Sequence, residues 1–488
     1  MEGISKKVIV IGAGISGLIS AVYARRSGFE TLVLEKAANP GGVSTSWRRK
    51  GYLMEGGIHW LIGTAPENPL HEIWKETGAL QENNPVYVKD PIYSLMDGKG
   101  ERIELFRDLK KLGKGAGLGR LRFFVSCFRH FHTPIQDLPG LKCRYPRRFN
   151  PWEYVKMLPA VLITPYLMLI SGYRLLKRVK DKRLRNLLYA VCDPEVNALS
   201  YVYTLSTFAA PGDSGYPEGG SLRMAQNMAD TVTSLGGEIR YRTPAETIRE
   251  LPDGSYVVKT AAEELRADAV IVTLDARKAI DKLFPEPLQD RWARQMRKKI
   301  LTEHCMFLGL GVKANLQDYP RSMQMIFDPP LEAAGRSYNF LIVNNYSRNT
   351  DYAPEGCTVI TTLLGGSSYG YWLAAREDGS YKEKKEEVIR AFLERIVQYI
   401  PEIEGNVEVA DLATPLTYER YCDTFEGSYM THWMPGKAVH NAPSRYRKGL
   451  YFAGQRTAYS GGLPPAAVSA RNAVQHLCRD FDVEFVNR

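Results

Sequence analysis

Three glycines near the amino terminus have a spacing that suits dinucleotide binding. Gly12, Gly14 and Gly17 form the pattern G-x-G-x-x-G, and the β-branched residues 8–11 before them predict a strand. The first glycine permits a tight turn, the second lets a pyrophosphate approach the backbone, and the third lets a helix pack on the strand. Glu35 follows Gly17 by 18 residues, where a carboxylate accepts hydrogen bonds from the adenosine ribose and disfavours a 2′-phosphate. Strand, turn, helix and acid in register predict a dinucleotide site.

Two further glycine pairs indicate which dinucleotide is bound. They follow Glu35 at 41–42 and 56–57, and His59 comes shortly after the second pair. They resemble the second flavin motif of the amine oxidase and phytoene desaturase superfamily, in which the loop lies along the pyrophosphate and ribityl chain of FAD. Simple NAD dehydrogenases lack this motif. The resemblance implies FAD as the cofactor.

The carboxyl terminus agrees with this interpretation. Residues 449–455 are strand-like and residues 460–466 open a helix. Pro464 and Pro465 suit a first helical turn, because the N–H that proline lacks would be unpaired there. The segment resembles the closing motif of the same superfamily, where the positive end of a helix faces the flavin pyrimidine and favours the anionic reduced ring. Gln455 departs from the motif, which usually has an acid for the ribityl hydroxyls, but glutamine also forms hydrogen bonds.

Within the superfamily, the chain most resembles phytoene desaturases, carotenoid cis-trans isomerases and retinol saturases. The stretches that carry this resemblance are 216–221, 413–421 and the closing motif. The resemblance implies further flavin contacts at Ala245 and at 273–275. The fingerprint and the resemblance together assign these cofactor-binding residues: Gly12, Gly14, Ile15, Ser16, Gly17, Glu35, Lys36, Gly41, Gly42, Val43, Ser44, Gly57, Ile58, His59, Ala245, Thr273, Gly454, Gln455, Gly462 and Leu463.

The fold class that follows is α/β, with a discontinuous FAD-binding domain of the Rossmann type that resembles glutathione reductase. It is joined to an α+β substrate domain with a basic, helical, membrane-facing insert. We assign the segments as FAD-binding domain 1–105, 205–290 and 445–488, basic helical insert 106–204, and substrate-domain sheet 291–444.

Three hydrophobic runs in the last of these segments predict strands. They span 305–312, 337–343 and 357–364. A sheet built from them would cover the flavin, and a substrate cavity beneath it would be mostly apolar.

The positive charge of the chain is concentrated in one segment. The formal net charge is +10, but residues 107–185 contain 19 basic and 4 acidic residues, a balance of 19 − 4 = +15, which leaves 10 − 15 = −5 for the rest. An apolar run at 157–170, 14 residues with two prolines, is shorter than the roughly 20 residues of a spanning helix. Basic, aromatic and apolar residues together suit the interface of an anionic membrane, so we expect peripheral membrane contact through 107–185.

Two other interpretations of this segment stay open. One is a solvated basic face over an ordinary helical core. The other is a surface for nucleic acid, but no recognised nucleic-acid motif accompanies the charges, and we expect no such partner.

Three side chains are candidates for catalysis beside the flavin, which itself takes or gives the hydride. His59 is a candidate proton donor, with a structural bond to an FAD phosphate or a backbone carbonyl as the alternative. Glu218 and Glu419 are candidates to steady a developing cation or move a proton, with a helix-terminus charge or a salt bridge as the alternative. The glycine-rich segment 113–119 resembles a second fingerprint but lacks the strand and the acid, so we interpret it as a loop. The electron donor or acceptor stays open.

The resemblance implies an FAD-dependent oxidoreductase of the phytoene desaturase-like group. It would desaturate, saturate or isomerise carbon-carbon double bonds of an apolar polyene or isoprenoid-like lipid. The alternatives are a flavin amine oxidase acting on a soluble amine, against which the basic insert argues, and a non-catalytic carrier of the escort-protein type. The retained flavin glycines argue against the carrier.

The cysteines bear on the compartment. Seven cysteines without paired or zinc-type spacing indicate a reducing compartment and no metal site. We therefore expect a cytoplasmic protein that is peripheral on the inner face of the membrane.

Overall fold

A computed structural model describes residues 6–96, 102–112, 117–133, 135–147, 150–431, 434–438, 440–457 and 461–488. Within these residues, one sheet contains the strand of the glycine fingerprint and is called the nucleotide sheet here. Its strand order is Arg445–Arg447, Leu450–Phe452, Ala269–Val272, Lys7–Ile11, Glu30–Leu34 and Glu238–Arg240. A second sheet contains the three strands predicted to cover the flavin and is called the roof sheet here. In the same part of the chain, its strand order is Val407–Ala413, Cys305–Val312, Thr358–Gly365, Arg336–Asn345, Ser322–Ala333, Tyr93–Met96 and Arg102–Leu105.

The strand Lys7–Ile11 lies inside the nucleotide sheet and is paired in parallel on both sides. Its residues 8 and 10 pack in one core with the helices Ile15–Arg26 and Leu463–Phe481. Its residues 9 and 11 pack on the other face with a three-stranded sheet over 247–267. A strand covered on both faces has no polar side, which explains its continuous apolar sequence.

The local predictions around the fingerprint are confirmed. The strand expected at 8–11 is Lys7–Ile11, the helix after the glycines is Ile15–Arg26, and the strand Glu30–Leu34 follows, directly before Glu35. The fingerprint therefore occupies the turn between a central strand and a buried helix.

The roof sheet contains all three strands predicted for it. Cys305–Val312 pairs antiparallel with Thr358–Gly365, which pairs antiparallel with Arg336–Asn345. Every residue of Cys305–Val312 is buried, because strands pair on both its edges and side chains cover both its faces.

Two strands lie in a different sheet from the one expected. Tyr93–Met96 and Arg102–Leu105 fall within 1–105, the range predicted for the FAD-binding domain, but they extend the roof sheet. Tyr93–Met96 pairs in parallel with Ser322–Ala333, which lies far along the chain. The local sequence of 93–105 holds no information about so distant a partner.

The insert is helical, with its own apolar core. Buried residues such as Leu121, Leu176, Leu187 and Tyr201 pack together and against the roof-sheet residue Tyr93. Its helices are Gly119–Cys127, Pro151–Leu169, Gly172–Leu176, Lys182–Tyr189 and Ala198–Ala209. Among the described residues, no helix combines the length and apolar character that crossing a bilayer requires.

The other elements connect these layers. The remaining strands are Ser46–Arg49, Tyr52–Glu55, Val86–Tyr87, Tyr216–Pro217, Thr247–Glu250, Tyr256–Lys259 and Glu264–Ala267. The remaining helices are Leu70–Glu76, Gly220–Ser234, Ala276–Lys282, Arg291–Lys298, Tyr369–Glu377, Tyr381–Val397 and Pro415–Cys422, with short 3₁₀ turns at Leu109–Leu112, Pro401–Ile403 and Phe425–Gly427.

Candidate functional site

A cavity of about 1300 Å³ is lined by residues of the nucleotide sheet, the roof sheet and the insert helices. Every residue assigned to the cofactor from the sequence lines this cavity, except Gly17. The structure therefore brings together segments from 12–16, 35–44, 57–59, 245, 273, 454–457 and 461–463.

Each glycine of the fingerprint is required for a different local reason. Gly12 has φ of +104°, a conformation that favours glycine. A Cβ on Gly17 would lie 1.8 Å from the Gly12 carbonyl oxygen, so Gly17 serves the contact between helix and turn, not the cavity. A Cβ on Gly14 would meet only the Cα of Gly42, at 3.9 Å, and would otherwise project into open space. That open space is where the pattern predicts the pyrophosphate.

Glu35 is buried and held by the backbone. Its Oε2 accepts from the Ala13 N–H at 2.6 Å and its Oε1 from the Ala37 N–H at 2.7 Å. These bonds fix the carboxylate at the edge of the cavity, and each oxygen keeps a second lone pair for a ribose hydroxyl.

Glu55 organises the second glycine pair and was not singled out from the sequence. Its carboxylate accepts from the backbone N–H groups of Gly57 and Ile58 at 2.9 and 3.1 Å. It also accepts from the N–H of Ser221 at 2.8 Å and from its hydroxyl at 2.5 Å. Burial raises the pKa of Glu55, and these hydrogen bonds act in the opposite direction. An acid inside the buried strand Tyr52–Glu55 was the available signal.

Gln455 joins the two sides of the flavin end of the cavity. Its Nε2 donates to the Tyr429 carbonyl at 3.3 Å, and its Oε1 accepts from the Gly462 N–H at 3.5 Å. A carboxylate could not donate to the Tyr429 carbonyl, which gives the departure from the family motif a local reason. The hydroxyl of Tyr429 in turn donates to the Gly57 carbonyl at 3.1 Å.

These groups fit FAD. The turn at Gly12–Gly14 leaves room for a pyrophosphate, and the fixed Glu35 carboxylate suits an adenosine ribose. The helix Leu463–Phe481 starts at the cavity with two prolines in its first turn, so its positive end faces the space left for the ring. Residues from several separate segments would thus hold one extended cofactor.

His59 lines the cavity beside the second glycine pair, as expected. Its Nδ1 lies 3.4 Å from the side-chain amide nitrogen of Asn344, and its Nε2 is buried with no hydrogen-bond partner among the described residues. Burial, and then the nearby charge of Lys89, lower the pKa of His59 to about 4. His59 is therefore a neutral imidazole with one nitrogen available to a ligand.

The two glutamates expected to act with His59 do not reach the cavity. Glu218 is exposed, and its backbone N–H donates to Pro85. Glu419 accepts a hydrogen bond from the Tyr369 hydroxyl at 3.3 Å and does not line the cavity either. Both sit beside motif residues in the sequence, but the strand Tyr216–Pro217 and the helix Pro415–Cys422 turn them away.

Beyond the flavin end, the cavity is mostly apolar. Its walls include Trp60, Phe131, Met168, Leu199 and Leu341. Met168 and Leu199 come from insert helices and Leu341 comes from the roof sheet, while Phe131 lies in the insert outside its helices and Trp60 follows the second glycine pair. The substrate would therefore lie between the insert and the roof sheet.

Comparisons with known proteins agree with this site. The "Prolycopene isomerase, chloroplastic" of Arabidopsis thaliana is 24% identical over 506 residues, which is 98% of this chain and 84% of that protein. The "All-trans-retinol 13,14-reductase" of Danio rerio is 24% identical over 512 residues, 92% of this chain and 82% of that protein.

The fold is that of solved flavin amine oxidases. The structure of the cyclohexylamine oxidase from Brevibacterium oxydans IH-35A matches with a TM-score of 0.63 at 16% identity, covering 98% of this chain and 100% of that one. The family model described as flavin containing amine oxidoreductase matches residues 15–478. The chain therefore belongs to the flavin-containing amine oxidoreductase family and is an FAD-dependent oxidoreductase.

Proposed function

We propose that this enzyme acts on carbon-carbon double bonds of an apolar polyene or isoprenoid-like lipid. One observation carries the proposal: from the flavin end, the cavity continues through mostly apolar walls to Tyr173, whose side chain is also exposed on the outer face of the insert. Such a channel suits a long apolar molecule better than a small soluble amine. The names of the isomerase and the reductase support the same substrate class.

The residues of the chain have separate tasks in this proposal. FAD, when bound, takes or gives a hydride at its ring. Glu35, the fingerprint glycines and the start of the helix Leu463–Phe481 hold its ends and its ring. The apolar walls exclude water and align the polyene by contact, because such a substrate offers few hydrogen-bonding groups.

We further propose that the insert binds the inner face of a membrane. The helix Pro151–Leu169 exposes an apolar stripe at helical spacing on one side. Its large exposed apolar residues are Trp152, Val155, Leu158, Val161, Leu162, Tyr166 and Leu169. In a protein surrounded only by water, so continuous a patch would be unusual. Exposed Lys and Arg residues follow it at 177–183 and would face anionic headgroups.

The same helix connects the proposed membrane face to the cavity. Its opposite side carries Thr164 and Met168, which line the cavity. Tyr173, in the next helix Gly172–Leu176, lines the cavity and is also exposed on the surface. A lipid substrate could pass from the bilayer to the flavin without entering bulk water.

The test follows the flavin colour. Purified enzyme in anionic vesicles is mixed, without oxygen, with carotenoids, retinoids, unsaturated fatty acids and amines. We expect double-bond change in a polyene, with flavin bleaching if the reaction is an oxidation. Rapid bleaching by an amine, with no change in any polyene, would contradict the proposal in favour of an amine oxidase.

A further inference from the structure

Glu303 is an acid of the cavity wall that the proposed function has not used. It lies two residues before the roof-sheet strand Cys305–Val312 and lines the cavity. Its backbone N–H donates to the Met430 carbonyl at 2.8 Å, and its carbonyl accepts from the Tyr429 N–H at 2.7 Å. The backbone of Glu303 is therefore fixed against the segment that also meets the flavin end.

That segment ties Glu303 to the cofactor site by direct contacts. Tyr429 donates its hydroxyl to Gly57, and its carbonyl accepts from Gln455. Gly461, at the start of the closing motif, packs so closely on Met430 that a Cβ there would lie 3.1 Å from the Met430 Cβ. Glu303 thus borders the place where the apolar channel meets the space for the ring.

The carboxyl group of Glu303 has no hydrogen bond or ion pair to any part of the chain that the structure describes. It is surrounded by protein, yet the residue is only half-buried because it faces the cavity. A carboxyl group in apolar surroundings without a cation is disfavoured in its charged form.

One of the titratable groups around Glu303 strengthens this effect. The groups are Asp193 and Cys192 from the loop across the cavity, Cys305 two residues further along the chain, and Tyr429. Burial, and then the negative charge of Asp193, raise the pKa of Glu303 to about 8. Burial also raises the pKa values of Cys192 and Tyr429, so both stay neutral and add no further negative charge. Glu303 therefore changes protonation close to neutral pH, where a proton donor or acceptor is most effective.

We propose that Glu303 is the catalytic acid or base that exchanges a proton with the polyene, and that Asp193 tunes it from across the cavity. The inference rests on the proposed function and names the residue that completes its chemistry.

Glu303 exchanges one proton with the polyene in each of the three reactions. In desaturation, a hydride leaves one carbon for the cofactor, the Glu303 carboxylate takes a proton from the adjacent carbon, and the electron pair of that C–H bond forms the new double bond. Saturation is the reverse, with the Glu303 acid as proton donor. In isomerisation, the acid protonates the polyene, the resulting cation rotates about the former double bond, and the same proton returns to Glu303 with no net electron transfer.

The first measurement needs no substrate. An infrared pH titration of the purified protein should show a protonated carboxyl band that disappears as pH rises through about 8. The difference between wild type and Glu303→Gln isolates this band from other buried acids. In Asp193→Asn the band should disappear at lower pH, because the like charge is gone. If Glu303→Gln removes no band, the inference is wrong.

The second measurement is turnover. Glu303→Gln keeps the shape and hydrogen bonding of the side chain but cannot exchange a proton, so the rate should fall about 100-fold or more while FAD content stays unchanged. In wild type the rate should rise with pH through about 8 if the enzyme desaturates, and fall if it saturates or isomerises. Asp193→Asn should shift this change of rate to lower pH. A variant that had only lost part of its structure would not show such a shift.

Glu394→Gln is the matched control, since it makes the same exchange at an exposed glutamate of the helix Tyr381–Val397, outside the cavity. A Glu303→Gln variant with the turnover rate of wild type and an unchanged dependence of that rate on pH would overturn the inference. A wild type that changes no polyene, yet keeps the Glu303 band, would instead overturn the proposed function and leave the proton site in place.

Discussion

The side-chain amide of Asn344 donates to Nδ1 of His59, across 3.4 Å. Because Nδ1 accepts, the proton of the neutral imidazole sits on Nε2, which is buried and has no hydrogen-bond partner among the described residues. The Asn344 oxygen is oriented in turn by the Ser322 hydroxyl at 2.9 Å and by the Lys89 ammonium at 3.4 Å. His59 is thus prepared to donate one hydrogen bond to whatever occupies the flavin end.

This relationship predicts a pH effect on stability. The pKa of His59 is lowered to about 4 in the folded chain, below its unfolded value of about 6.5. Its contribution should therefore be present above pH about 6.5 and be lost as pH falls towards 4. Relative to His59→Gln, wild type should lose on the order of 1–2 kcal/mol of unfolding free energy over that window, discounted for contact with the cavity. Equal losses in both proteins by denaturant unfolding would contradict the assignment.

Gly14 and Gly17 should separate cofactor binding from folding. Gly14→Val places its side chain in the open space of the pyrophosphate site, so the protein should fold but bind FAD at least about tenfold more weakly. Gly17→Ala places a Cβ against the Gly12 carbonyl and should lower the thermal unfolding midpoint, even without FAD. Flavin absorbance and thermal unfolding measure the two effects. A stable, colourless Gly17→Ala would contradict the distinction.

Glu55→Gln should weaken both the fold and the flavin site. The glutamine NH2 group would point a donor at a backbone N–H that itself donates, that of Gly57 if it replaces Oε1 or that of Ser221 if it replaces Oε2. Leaving such buried donors unpaired costs roughly 1–3 kcal/mol each. We expect a lower unfolding free energy and faster FAD release on dilution. Unchanged FAD retention would show that the second glycine pair is held by other contacts.

Membrane binding should depend on two separate surfaces, the basic residues at 177–183 and the exposed apolar stripe of the helix Pro151–Leu169. Replacing the five basic residues Lys177, Arg178, Lys180, Lys182 and Arg183 by glutamine should weaken binding to anionic vesicles, since each such charge contributes up to about 1 kcal/mol near the surface. Added salt should weaken wild-type binding likewise, because exposed charges are screened with a Debye length of about 8 Å at 0.15 M.

Leu158→Ser with Leu162→Ser should weaken binding to neutral vesicles as well. Lys382→Gln, exposed on the distant helix Tyr381–Val397, is the control and should bind as wild type. Vesicle flotation measures both surfaces. Unchanged binding in the five-residue variant would leave the basic segment as a solvated face.

Tight NAD(P)H binding is not expected when FAD occupies its site. The sequence holds one complete nucleotide fingerprint, and its residues line the FAD cavity. The glycine-rich segment 113–119, interpreted as a loop, lies partly outside the described residues. Slow bleaching of the flavin by direct access would be compatible with this expectation. Rapid oxidation of stoichiometric NADPH with saturation would contradict it.

Local patterns predicted the flavin site well because its parts are short and chemically restricted. A turn such as that at Gly12 accepts few residue types, and strands such as Cys305–Val312 are apolar throughout. The residues that line the flavin end could therefore be found one segment at a time, although they come from distant parts of the chain.

Which acids reach the cavity was harder to predict, since this depends on which way a side chain points after folding. Glu218 and Glu419 stand beside recognisable motifs but turn away from the cavity. Glu303 stands in no motif, and only the pairing of its backbone with Met430 brings it to the channel. Glu55 lies in a buried strand, where an acidic residue could have been recognised from the sequence as a candidate site residue.

The two sides of the helix Pro151–Leu169 constrain how this part of the sequence can change. An α-helix turns about 100° per residue, so inserting or deleting a single residue would rotate Thr164 and Met168 out of the cavity and bring outward-facing leucines in. Exchanges of one apolar residue for another keep each side in place. Related enzymes should therefore differ in this helix by substitution while keeping its length, and substrate choice and lipid preference should change together.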